Sequence, residues 1–144
     1  MQLTQFTDIG LRVLIYLSHD CDKRVTISEI AEQFLVPKNH LTKVIYRLTK
    51  LGWINATRGR HGGIQLGIMP HQLKLGKLIR ALEVHDEVIN CSKSQCKLQG
   101  SCNIKGFLES ATDEFYSAMD KYTLADAVKA PTNTVIKLMH NKYL

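Results

Sequence analysis

The sequence predicts a mainly α fold with a small β-wing, a winged helix-turn-helix followed by a long helix suited to pairing two copies of the chain. Three observations carry this expectation. Fifty consecutive residues, Gln33 to Leu82, hold nine basic side chains and no Asp or Glu. Within them, two helical patterns adjoin across a tight turn and are followed by a Gly-Arg hairpin. Further on, one apolar stripe runs for about five helical turns.

The chain has 144 residues, of which 44% are apolar and 22% charged, close to the balance of a folded globular domain. Its net charge of +6 is unevenly placed: the nine basic residues of the acid-free run leave the other 94 residues with a net charge of −3. A basic block between acidic flanks is the electrostatic footprint of a polyanion site, because each neutralised phosphate releases condensed counterions. No apolar run reaches the roughly 18 residues of a membrane span, and the N-terminus lacks the pattern of a secretory signal, so a cytoplasmic address is expected.

The first helix is expected from Thr7 to His19, apolar nearly all round through Ile9, Leu11, Val13, Leu14, Ile15 and Leu17, with Thr7 or Asp8 as its cap. Thr26-Ile27-Ser28-Glu29 has the spacing of a capping box and opens a second, short helix. After a turn at Leu35-Val36, Pro37 suits a first helical position. Leu41, Val44, Ile45, Leu48 and Leu51 then follow one helix face, leaving Lys38, Asn39, Thr42, Lys43, Tyr46 and Arg47 on the others. A pair of helices whose second member is apolar on one side and basic-polar on the other reads as a helix-turn-helix.

Trp53–Thr57 and Ile64–Leu66 are expected strands, and Arg58-Gly59-Arg60-His61-Gly62-Gly63 between them a wing. Glycine permits the turn and arginine supplies charge at its tip. Leu75, Leu78, Ile79 and Leu82 give another amphipathic helix. A polar stretch follows, and then a stripe through Ile104, Phe107, Leu108, Ala111, Phe115, Ala118, Met119 and Tyr122. That helix is long for the core of one subunit, so it is expected to bury against a symmetry mate; a two-fold reader needs two recognition helices about one DNA turn apart. The expected organisation is a DNA-binding winged helix-turn-helix over 1–82, a cysteine loop over 83–103, a dimerisation helix with a short following helix over 104–130, and a tail over 131–144 without a readable signal.

Cys91, Cys96 and Cys102 share one segment with the spacing C-x4-C-x5-C. Three soft thiolates suit zinc, copper(I) or an iron-sulfur cluster. Structural zinc and most clusters take four ligands, so a fourth must come from elsewhere. The spacing alone leaves redox-active or inert thiols open as well. Cys21 stands apart and reads as a bystander. No nucleophile elbow, phosphate loop or helix-borne His/Glu pair is present, and no catalytic residue is expected.

Several motifs together resemble a known family. Met1-Gln2-Leu3-Thr4 with Phe6-Thr7-Asp8-Ile9-Gly10-Leu11-Arg12, Asn39-His40-Leu41 with Lys43, and Arg58 through Leu66 resemble the winged-helix iron-sulfur regulators related to IscR. Val88-Ile89-Asn90-Cys91, the three-cysteine loop and Tyr122-Thr123-Leu124-Ala125-Asp126 look most like the nitric-oxide-sensing NsrR branch. The resemblance implies a homodimer holding one cluster per subunit through Cys91, Cys96 and Cys102, with 2Fe-2S favoured over 4Fe-4S. Asp8 matches the aspartate that supplies a ligand across the dimer in some relatives, although helix capping would also account for it. Others use a histidine shortly after the third cysteine, where this chain has Asn103, Ile104 and Lys105.

The expected function is therefore a repressor that binds operator DNA and releases it when nitric oxide attacks the cluster. The alternatives are a cluster-assembly or redox regulator, a thiol- or zinc-dependent regulator, and a ferredoxin-like carrier. Asn39, Thr42 and Lys43 are expected at base edges, and Arg47, Arg58 and Arg60 at phosphates or the minor groove. Ser28, Lys38, His40 and His61 complete the expected DNA-facing set.

Overall fold

The computed structural model describes residues 2–85, 87–93 and 95–142. Met1 of the opening motif, Asp86 and Ser94 of the cysteine segment, and residues 143–144 of the tail lie outside that description. The chain runs α1 (Gln5–Leu17), α2 (Ile27–Phe34), α3 (Lys38–Lys50), β1 (Ile54–Thr57), β2 (Gly63–Leu66), a 3-10 turn (Pro70–Gln72), α4 (Leu75–Leu82), α5 (Asn103–Met119), α6 (Leu124–Ala127) and α7 (Thr132–Asn141). Among the described residues no helix is long and apolar enough to cross a membrane.

Helix α1 starts two residues earlier than its apolar pattern suggests because its cap is Thr4, whose hydroxyl accepts from the Thr7 amide at 3.3 Å. Neither Thr7 nor Asp8 caps it: Thr7 is fully buried, and Asp8 forms a two-pronged ion pair with Arg12 one turn on, at 2.7 and 3.0 Å. Helix α2 is capped by Thr26 as expected, but the Glu29 carboxylate accepts the Tyr16 hydroxyl at 2.6 Å, tying α2 to α1. Leu35 ends α2 in the left-handed conformation (φ 52°), a role the sequence would more readily give to glycine. Pro37 sits one position before α3, at its cap.

No side chain caps α3. Its stability comes from Leu41, Val44, Ile45 and Leu48, all buried, each contributing about 1.5–3 kcal/mol by leaving water. That apolar stripe fixes the rotation of the helix and leaves the opposite face to solvent. Helix α3 closes at Gly52, where the Trp53 amide returns to the Leu48 carbonyl at 3.0 Å.

Strands β1 and β2 pair antiparallel with Ile54 opposite Leu66 and Thr57 opposite Gly63. Val25 adds two backbone hydrogen bonds to Ile64, each 2.8 Å, and so anchors the hairpin to the segment before α2. Ile54, Ile64 and Leu66 face the core with Trp53, beneath α1 and α3.

Helix α4 lacks a cap of its own, and Asp120 at the end of α5 supplies one by accepting the Lys77 amide at 2.8 Å. Helix α5 packs on α4 through Tyr116, its one buried residue, whose ring lies 4.2 Å from the Arg80 guanidinium. Most of the expected stripe is not buried within the protomer. Ile104 and Phe107 are 61% and 70% exposed, Ala111, Ala118 and Tyr122 are exposed, and Leu108, Phe115 and Met119 are half-buried. Helix α6 opens with a reciprocal Thr123–Asp126 capping box. The Lys129 ammonium, with the Thr123 amide and hydroxyl, holds the Asp126 carboxyl down to about 2.

The tail, unreadable in the sequence, forms α7 and closes against α1. Ile136 and His140 are buried, and the His140 ring stacks on Tyr16 at 4.0 Å and an interplanar angle of 12°. With Nε2 carrying the proton, the ring donates to the Tyr16 carbonyl at 3.0 Å, leaving Nδ1 to face the Lys23 ammonium at 3.4 Å.

Candidate nucleic-acid interface and cysteine loop

Every residue expected at DNA on α3 is exposed: Lys38, Asn39, His40, Thr42, Lys43 and Arg47. They share the helix with four buried aliphatics, so this face is presented by packing. The first two turns offer the side-chain chemistry of the major groove: an amide for adenine, ammonium groups for guanine or phosphate, and an imidazole. The Thr42 hydroxyl donates to the Lys38 carbonyl at 2.7 Å, which leaves its oxygen as an acceptor. Ser28 is exposed in the first turn of α2. Tyr46, 62% exposed, lies beneath the Lys50 ammonium at 5.0 Å, extending the cationic face by one turn.

Arg47 is placed differently from the others. It donates from Nη2 to the Ala81 carbonyl at 3.0 Å, in the last turn of α4. Carbonyls there have no partner within the helix, and a cation is favoured at that end of the dipole.

In the wing, Arg58, Arg60 and His61 are all exposed. The tip is closed by the Gly62 amide on the Gly59 carbonyl at 2.9 Å. A Cβ at Gly62 would stand 2.3 Å from the Thr57 carbonyl oxygen, so only glycine lets the chain fold back this tightly. Arg24, absent from the expected set because it precedes the acid-free run, braces the wing: it donates to the His61 carbonyl at 3.3 Å and to Gln65 Oε1 at 3.2 Å. Its one sequence signal is its position directly before Val25, the residue that pairs with the wing strand.

Cys91 lies in a turn, Cys96 accepts the Gln99 amide through its carbonyl at 3.1 Å, and Cys102 occupies the cap position of α5 without a capping hydrogen bond. All three are half-buried, and no disulfide is present among the described residues. As donors they suit iron: three soft sulfurs at partial exposure, one of them at the N-terminus of a 17-residue helix. Their arrangement is open. Among the described residues, no three His, Cys, Asp or Glu side chains stand together as a group able to hold a metal ion. Asp8 is occupied by Arg12, both side chains about half exposed. Binding a metal through these residues therefore requires the segment to close and Asp8 to exchange partners. Cys21 lies apart, its thiol pushed up chiefly by burial and then by the neighbouring Asp22 and Asp20, which makes it a poor nucleophile or ligand.

A two-helix reader, a short antiparallel wing and a following helical layer define the fold of winged-helix transcription regulators. The chain belongs to the Rrf2 family, described as iron-dependent transcriptional regulators, whose family model matches residues 3–130. Of the helices, only α7 falls outside that match. Among solved structures, CymR, the global cysteine regulator of B. subtilis, matches with a TM-score of 0.70 at 20% identity, over 88% of this chain and 95% of its own. IscR of T. potens matches with a TM-score of 0.70 at 23% identity, over 89% and 86%. The oxidized form of CymR from Staphylococcus aureus matches with a TM-score of 0.70 at 21% identity, over 90% and 97%. These likenesses establish the fold.

Proposed function

We propose that this chain is a nitric-oxide-sensitive repressor that binds operator DNA as a homodimer while holding an iron-sulfur cluster, and leaves the operator when nitric oxide attacks the cluster. One conjunction carries the reading: a family described as iron-dependent, an outward α3 face that is polar and basic, and three thiols within twelve residues. Cys91, Cys96 and Cys102 would hold the cluster, 2Fe-2S in preference to 4Fe-4S, with the partner's Asp8 as a fourth ligand. When bound, the cluster would supply iron open to attack by nitric oxide. Asn39, Thr42 and Lys43 read base edges, with Ser28, Lys38, His40 and His61 around them. Arg58 and Arg60 hold phosphates or the minor groove, positioning the dimer without reading sequence. The exposed apolar residues Ile104 and Phe107 on α5 support a two-fold partner, since burying them gives the helix the packing it lacks in one protomer.

The open arrangement of the three thiols favours a second reading, a cluster-free regulator that senses redox state through those cysteines. The visible absorption of anaerobically purified protein separates the two. The proposal predicts charge-transfer bands that disappear in Cys96→Ser; a colourless protein with reduced thiols that still retards promoter DNA would establish the second reading instead.

A further inference from the structure

The cysteine segment leaves the body of the protein at Glu83, eight residues before Cys91. The three residues at this root are each attached to a helix of the reading head, by three different kinds of contact. The Ala81 carbonyl accepts from Arg47 on α3 at 3.0 Å. Leu82, 1% exposed, fills the space that Gly10 leaves open: a Cβ at Gly10 would stand 2.6 Å from Leu82 Cδ1 and 3.7 Å from Val44 Cγ1 of α3. The Glu83 carboxylate accepts both the Thr4 amide, at 2.8 Å, and the Thr4 hydroxyl, at 3.0 Å. Thr4 is the cap of α1, one turn before Asp8.

We infer that Ala81–Glu83 is a coupling joint through which the state of the cysteine segment sets the position of α3, with Arg47 and Glu83 as its positioning residues. This rests on the proposed cluster-dependent DNA binding and says how that dependence reaches the DNA. A segment drawn closed around a cluster pulls on Glu83. The displacement passes to the α1 cap through Thr4, to the middle of α1 at Gly10 through Leu82, and to α3 through the Arg47 bond. Packed interiors pass such displacements on because they compress little. Arg47 thus acts through α4, and its bond to Ala81 is the point where sensor and reader meet.

The test compares operator affinity, by fluorescence anisotropy, for cluster-loaded and cluster-free protein. In the wild type the ratio is expected at about tenfold to a hundredfold, a usual size for allosteric coupling. Glu83→Ala is expected to retain the visible absorption of the loaded protein while the ratio falls to about threefold or less. Glu83→Gln keeps an acceptor for the Thr4 amide and should restore the wild-type ratio. A wild-type ratio in Glu83→Ala overturns the joint. Hydrogen exchange of the cluster-free protein tests the joint independently of DNA: Glu83→Ala and Arg47→Met should each speed exchange of amides 44–50 and leave 54–66 unchanged. Unchanged exchange at 44–50 refutes the joint even if the wild type shows no affinity ratio. Equal wild-type affinities with faster exchange in the variants would sink the cluster switch and leave the joint standing.

Discussion

Removing Arg58 gives a measurable prediction for the wing. Arg58 is exposed and makes no ion pair among the described residues, so its charge is available to a phosphate. A two-fold reader carries two wings, and Arg58→Ala removes two contacts from the complex. Each neutralised phosphate contributes about 0.9 to the slope of log affinity against log salt. The slope should therefore flatten by about 1.8, and affinity at 0.1 M salt should fall roughly 60-fold, or about 2.5 kcal/mol, relative to a 1 M reference. Anisotropy titrations of operator DNA from about 50 to 300 mM KCl give the slope of this linear log–log relation. Superimposable salt slopes for wild type and Arg58→Ala would refute the assignment of the wing to the DNA backbone.

Arg24 offers the contrasting case. Its guanidinium is engaged with His61 and Gln65, so Arg24→Ala should weaken binding about tenfold through wing position with little change in salt slope; a slope change equal to that of Arg58→Ala would make it a direct phosphate contact. Helix α5 leads to a prediction about assembly: Phe107→Asp places a charge on its exposed apolar face and should shift the protein to monomer in light scattering, whereas an unchanged dimer would move the interface elsewhere. His140 sets a pH dependence. Burial holds its imidazole below the ordinary value of 6.5, with the Lys23 and His19 charges acting in the same direction and the Tyr16 carbonyl and Glu29 opposing. The unfolded chain therefore binds the proton more readily, and stability rises with pH. The contribution is complete above about pH 6.5 and is lost as pH falls from there toward the lower folded value. Urea midpoints between about pH 8 and 5.5 should show this slope, and His140→Phe should flatten it; an equal slope in the variant would assign it to another group.

The parts of the fold that the sequence made legible are those in which one local pattern settles the structure. Leu41, Val44, Ile45 and Leu48 fixed both the existence of α3 and the face it presents, and the glycines around Arg58 and Arg60 marked the wing. Long-range partners left no such trace. Asp120 caps α4 from 43 residues away, and Arg24 reaches the wing from outside the basic run. Thr4 took the α1 cap from Thr7 and Asp8 because burial claimed the one and Arg12 the other. Helix α7 was missed because it begins behind Pro131 without a side-chain cap, and the residue that docks it, His140, reads as polar. The α5 stripe was real in spacing, but most of it stays exposed within the protomer, which a spacing pattern does not reveal. At the cysteine segment, composition showed which donors are present, while their spacing left open whether they converge.

The central claim is that the cluster governs DNA binding, and it is tested most directly by one operator titration run on the cluster-loaded dimer, the same sample after nitric oxide, and the cluster-free protein. The account predicts tight binding for the first and affinity about a hundredfold weaker for the other two, equivalent to about 2.7 kcal/mol of coupling. Equal affinities in all three states would contradict it.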